Sequence, residues 1–439
     1  MTRPVMRTES ESLTQGLIKL IRDKSVKVGD LEQTALFTLD ALANTIAGRN
    51  SEPGRKLIEW GQGRLSEAGR LAFMMGALTH ILEVDDVHRA SVVHTGAVTV
   101  PAVLALASGR DIPGETILRA VLYGFEATCR VGMAVGPTHY KTWHNTATCG
   151  PYGSAMAAAT ILALDDEQTI HALGNAGTQS GGVWEFLKSG AMSKHLHAGR
   201  AAEAGVLAAE LAALGFTGPP TILEGSTGFF AAACPDANPA AVLHAPDDVW
   251  QVHLTSIKPW PSCRHTHPTI DAALVLSGKV DLATVSNIDV FTYDAAIDVC
   301  DRPVANSDYE AKFSLQHCVV AALQRGKMDF AAFGDEARAK AIPFVAKVKL
   351  QTAEPFATAY PLARGAGVSV ELAEGSLVKS VKEQCKGDPE AALTADEMVE
   401  KAKDLMRFGG INDSARIIDN VLGLANGGRL ECFGDLLSA

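Results

Sequence analysis

The chain has 439 residues, 47% hydrophobic and only 20% charged, which excludes a disordered polymer and supplies apolar surface for more than one core. Its 39 basic against 50 acidic residues leave a formal net charge of −11, so most of the surface repels a phosphate backbone and no nucleic acid partner is expected. There is no uninterrupted apolar run of the roughly 18–20 residues a bilayer span needs, and the opening MTRPVMRTESES lacks an apolar signal region; no membrane partner and a cytoplasmic location are expected.

In chain order, the pattern first predicts a helix opening at Asp30, where Asp30 and Gln33 resemble a capping box. It runs through Leu36, Leu39, Ala43 and Ile46 and stops at Gly48. Between Glu115 and Val135, Ile117, Val121, Phe125 and Cys129 recur at four-residue spacing, and Ala-rich segments at 152–164, 168–177 and 200–214 continue in that style. Residues 1–257 therefore read as the first part of a large all-helical domain. Past Lys258, short β-type runs at 287–293, 345–351 and 367–372 alternate with Gly and Pro turns, predicting a smaller α+β domain over 258–392. Helical spacing returns in LTADEMVEKAKDLM and at 412–425, so 393–439 closes the helical domain that the α+β part interrupts. The expected fold class is mainly α.

Eight cysteines (Cys129, Cys149, Cys234, Cys263, Cys300, Cys318, Cys385, Cys432) are scattered with no C-x-x-C pair and read as reduced thiols. The histidines are not scattered. His80, His88, His94, His139, His144, His195, His197 and His265 fall in four short Gly- or Pro-rich stretches. In the first, Glu83, Asp85 and Asp86 precede His88 and His94, which puts acid–base partners in one loop. His94 reads as functional and His88 as a surface or capping residue. His144, beside Trp143 in a hydroxyl-rich turn, is a second candidate, while His139 reads as solvated. Lys194, His195, His197 and Arg200 gather cations at the start of a helix, where the backbone dipole adds positive potential. Lys258, Arg264, His265 and His267 repeat the pattern. Solvated basic faces are the plainer alternative; two cationic strips in an acidic protein point instead to a cleft for a small polycarboxylate. Carboxylates beside imidazoles also suit a divalent ion, but no H-E-x-x-H or comparable spacing is present, so no metal is expected.

These stretches together resemble the MmgE/PrpD family, which includes 2-methylcitrate dehydratase, cis-aconitate decarboxylase and iminodisuccinate epimerase. The resemblance is carried by Glu83-Val84-Asp85-Asp86 followed by His94-Thr95-Gly96-Ala97, by Trp143-His144 six residues before Gly150, and by Ser193-Lys194-His195-Leu196-His197-Ala198-Gly199. Lys258-Pro259-Trp260-Pro261-Ser262-Cys263 and the run from Glu310 to Ser314 complete it. It implies a helical domain interrupted by an α+β lid, a homodimer, no cofactor and an active site between the domains. It maps catalytic roles to Glu83, His94, His144, Lys194 and Lys258, and substrate contacts are expected from Asp85, Arg200, Cys263, Arg264 and His265. Val87 stands where the family commonly has Thr, Cys263 where the decarboxylases carry His, and Val299 where they carry Tyr; Glu83 is one methylene longer than the usual Asp. The first three lose a hydroxyl or an imidazole, which counts against cis-aconitate decarboxylation. The expected reaction is dehydration of a 2-methylcitrate-like hydroxy acid; epimerisation of a dicarboxylate and decarboxylation are the alternatives within the family, and an inactive helical binding protein is the alternative outside it.

Overall fold

The computed structural model describes residues 12–189 and 191–431, so Cys432 and most of the opening segment discussed above lie outside the described residues. The chain divides into two compact units, Met1–Thr255 with Ala395–Ala439, and Ser256–Thr394.

The first unit is helical. Its longer elements are α1 (Leu13–Asp23), α2 (Val28–Gly48), α3 (Glu52–Gly61), α4 (Ala68–His80), α5 (Gly96–Ala107), α6 (Gly114–Ala134), α7 (Asn145–Ile161), α8 (Asp166–Gly177) and α9 (Ser193–Ala213). Helix α2 begins two residues before Asp30, because the Asp30 carboxylate accepts the Lys27 N–H at 2.8 Å and so stands inside the first turn. Helices α4 and α7 each lie against α9 at short range through small residues. A Cβ on Gly205 of α9 would lie 2.2 Å from Ser154 Oγ and 2.4 Å from the Ala155 nitrogen of α7, while Ser154 Oγ donates to the Ala201 carbonyl at 2.6 Å. That contact excludes any larger residue at 205 without moving a helix.

The second unit is α+β. Four strands, β1 (Val285–Thr292), β2 (Val348–Thr352), β3 (Ala366–Leu372) and β4 (Leu377–Lys382), are ordered β2-β1-β3-β4. β1 runs parallel to β2, with Ile288 opposite Val348, and antiparallel to β3, with Val290 opposite Val368; β3 and β4 form a hairpin. Helices α10 (His267–Leu276) and α12 (Leu315–Arg325) pack together, joined in sequence by the short α11 (Asp294–Cys300). Ile270, Leu276, Ile288, Val290, Val319, Val368 and Val370 form their common core.

The chain then returns to the first unit in α13 (Ala395–Phe408), which packs on α2. There Lys401 pairs with buried Asp40 at 2.6 Å and donates to the Val84 carbonyl at 2.8 Å, so the last part of the sequence holds the acidic loop 81–95 in place. No helix among the described residues is long and apolar enough to cross a membrane.

Candidate active site

Four helix ends of the first unit meet at one place. His80 closes α4, His94 and Thr95 lead into α5, His144 caps α7, and Lys194 stands in the first turn of α9. Three of these are N-termini, whose unpaired N–H groups and dipoles favour negative charge. The His80 ring lies 4.5 Å from that of His94 and 5.5 Å from that of His144, centroid to centroid, and the His144 and His197 Nδ1 atoms are 3.2 Å apart. Trp184 tilts over His144 at 4.6 Å. Thr146 Oγ1 accepts the His94 N–H at 3.1 Å and Asn145 donates to the Ser91 carbonyl at 2.8 Å, which ties the acidic loop to α7.

The three acids of the loop divide their duties. Asp86 accepts the Gly96 N–H through both oxygens, at 2.9 and 3.0 Å; a Cβ at 96 would sit 2.7 Å from its carboxylate, so glycine is required there. Burial, reinforced by neighbouring Asp85, pushes the Asp86 pKa well above the usual carboxylate range. Asp85 is as deeply buried, but its coupling to His94 and His80, which lie against it, outweighs burial and holds it well below that range. One of its oxygens accepts from His80 Nδ1 at 2.7 Å and lies 3.1 Å from His94 Nδ1, a separation that becomes an ion pair once His94 is protonated. Glu83 has a left-handed backbone, φ 61°, and pairs with Lys194. The loop is bent so that its first acid meets α9 and its second faces the histidines.

Most of the imidazoles are neutral at neutral pH. Burial, with the positive neighbourhood of Lys194 as a contributor, pushes His80, His195 and His197 down to about 4 and His144 well below its ordinary value. His80, Asp85 and His94 offer three possible metal-ligand atoms within 4.8 Å of one another. The Lys194 charge beside them and the three helix N-termini suit an anion better than a cation.

Of the other residues singled out above, Arg200 turns to Glu203 and its side chain is 55% exposed; with Arg70 and Arg110 it lines a separate depression. His88 and His139, read as surface or solvated, are both buried. His88 bonds Ser91 at 2.8 Å and also meets distant Gln251, and His139 bonds the distant Ala233 carbonyl and Thr148 at 2.8 and 2.9 Å, so each ring has a tertiary partner that local spacing does not reveal.

In the second unit Lys258 is buried in the loop leading to α10. That loop is braced by Ile257 N–H on the Gly387 carbonyl at 2.9 Å, Trp260 Nε1 on Asp271 at 2.8 Å and Cys263 N–H on the Lys312 carbonyl at 2.9 Å. The last bond explains why the run from Glu310 to Ser314 accompanies the Lys258 motif. Arg264, expected to meet substrate, is instead buried against Asp388 at 2.7 Å and His267 at 3.0 Å, a clamp on the loop. Cys263 is half-buried and packs beside Cys300, and Val299 is exposed. His265 Nδ1 lies 2.9 Å from the hydroxyl of Tyr293, a residue that sequence reasoning did not single out.

Residues 22–241 match the MmgE/PrpD N-terminal domain, and residues 260–424 match the MmgE/PrpD C-terminal domain. The chain belongs to the MmgE/PrpD family. This MmgE/PrpD chain is 26% identical over 386 residues to a cis-aconitate decarboxylase of Aspergillus terreus, covering 80% of this chain and 78% of the relative. It is 25% identical over 386 residues to the cis-aconitate decarboxylase of Mus musculus, covering 79% and 76%, and 24% identical over 372 residues to that of Homo sapiens, covering 80% and 76%. The family assignment supports an enzyme of the lyase type.

Proposed function

We propose that this MmgE/PrpD protein is a metal- and cofactor-independent lyase, working as a cytoplasmic homodimer, that dehydrates a small 2-methylcitrate-like hydroxy acid. The observation that supports it is His94 backed by Asp85 among neutral imidazoles at three helix N-termini. With Nδ1 turned to Asp85, the other nitrogen of His94 takes the proton on the carbon beside a carboxylate, and the ionised acid behind it stabilises the imidazolium formed. The electron pair released from that C–H bond becomes the new C=C bond as the C–O bond breaks, and the departing hydroxide takes a proton from His94 to leave as water. The helix ends and Lys194 meet the carboxylates and the enolate-like charge, while Glu83 positions Lys194. His144, kept neutral, offers an N–H to the substrate.

Decarboxylation is the second reading, favoured by the relatives named above. It requires a proton donor for the carbanion left by CO2, and a cluster of imidazoles held unprotonated by burial is better supplied with bases than with acids. Val87, Cys263 and Val299 weigh in the same direction. The test is incubation of the purified protein with citrate-like hydroxy acids, hydroxy-dicarboxylates and cis-aconitate in D2O, followed by NMR. Alkene formation from a hydroxy acid, unchanged after exhaustive chelation, is the expected result. Deuterium uptake without alkene means epimerisation, CO2 from cis-aconitate means decarboxylation, and no reaction with any of them means a binding protein.

A further inference from the structure

The second unit contains a guanidinium that forms no hydrogen bond with an acid or carbonyl among the described residues. Arg364 lies in the segment between Tyr360 and β3, and its Nε is buried without a hydrogen-bond partner; no ion pair joins its side chain among the described residues. Other arginines with a buried, unpartnered Nε differ from it. Arg264 is held by Asp388 and Arg325 by Asp329. A buried donor on a charged group is costly to leave without a partner, so an Nε in this state is expected where a ligand completes it.

Its surroundings fit an anion. Thr292 Oγ1 donates to the Gly365 carbonyl at 3.2 Å, which brings the Arg364 segment beside Tyr293. The Tyr293 ring stacks on Tyr360 at 4.4 Å with 11° between planes, and its hydroxyl is bonded to His265 Nδ1. Burial, with the Arg364 charge adding to it, pushes His265 down to about 4; burial also keeps Tyr293 a neutral phenol against the pull of that same charge. The charged and titratable groups acting on or acted on by Arg364 are His265, Tyr293, Cys385 and Asp388, and Asp388 is already engaged by Arg264 and Ser256. At neutral pH the cluster is therefore one planar cation beside neutral donors and two stacked rings, the geometry that receives a carboxylate in two parallel N–H···O bonds.

We propose that Arg364, with the Tyr293–His265 pair, is a carboxylate-binding site of the second unit. In a calorimetric titration with citrate, Arg364→Gln should weaken binding tenfold or more and Arg364→Lys should recover part of the loss, with circular dichroism showing that both variants fold. An analogue lacking one carboxylate should be discriminated against by the wild type and no longer by Arg364→Gln. A footprint on the wild-type protein needs no folded variant and no turnover: citrate should protect Arg364 from phenylglyoxal, read by peptide mass spectrometry. Protection without turnover of any acid would overturn the lyase reading and leave the site standing. Citrate affinity and discrimination unchanged in Arg364→Gln, or labelling of Arg364 indifferent to citrate, would overturn the site and leave the lyase.

Discussion

An imidazole that must take a proton in an apolar place gains from a carboxylate on its far side, because the charge created on the ring is met at once by one already present. Asp85 is placed for that, ionised by its two histidine neighbours, and its oxygen near His94 already accepts from His80. Asp85→Asn should keep the fold, since an amide fits the same space, and should lower kcat/KM by about 10²- to 10⁴-fold, the range seen when a base loses its orienting acid. Steady-state kinetics with circular dichroism would decide it; a loss under threefold would make Asp85 a structural acid. Much of this centre was legible in the sequence because Glu83, Asp85 and His94 share one loop and Lys194 opens a helix. His80 was counted in the histidine cluster without a role, since nothing at its own position announces that the end of α4 delivers it between His94 and His144. Arg364, Tyr293 and Tyr360 were silent for a different reason: each sits in unremarkable text, and only tertiary folding makes them neighbours.

At the scale of elements, the site depends on how closely helices approach, since α7 and α9 bring His144 and Lys194 together from their first turns. The Gly205 contact sets that distance. Gly205→Ala must push α9 from α7 and strain the Ser154–Ala201 bond, against which alanine's better helix propensity is worth only about 1 kcal/mol. The expected net loss is roughly 1–3 kcal/mol, seen as a melting temperature lower by a few degrees, with a fall in kcat from misplacement of Lys194. A variant as stable and active as the wild type would show that the helices shift freely. Amphipathic helices and the first three strands were readable from periodicity. Helix α5 was not, because it is buried all round and carries Pro101 and β-branched residues, so it has no polar face to set a period. Strand β4 escaped because LVKSVK is a lysine-bearing edge strand with one buried position.

Across the whole molecule, the histidines make stability depend on pH with a definite sign. His80 and His88 are fully buried and pushed down to about 4, and His195, His197 and His265 are held near the same value. In the unfolded chain each returns to about 6.5 and binds a proton that the folded chain refuses. Their contribution is therefore complete above pH 6.5 and is lost as pH falls from about 6.5 to 4, by roughly 1–3 kcal/mol for each fully buried ring. Asp86, Asp40 and Asp271, raised by burial, act in the opposite sense, favouring the folded state as pH falls toward 4, but they are outnumbered. The melting temperature should thus be level from pH 8 to 7 and drop steeply between 6.5 and 4.5. His88 is the ring to test because it lies outside the proposed chemistry, its ring bonded to nearby Ser91 and to Gln251. His88→Gln removes one proton from the unfolded side, so the difference in melting temperature between pH 7.5 and 5 should narrow even though the variant is less stable at pH 7.5. A wild-type melting temperature unchanged down to pH 4.5, or a His88→Gln gap as wide as the wild type's, would mean that the buried rings are protonated in the folded protein and that the neutral cluster invoked for catalysis does not exist.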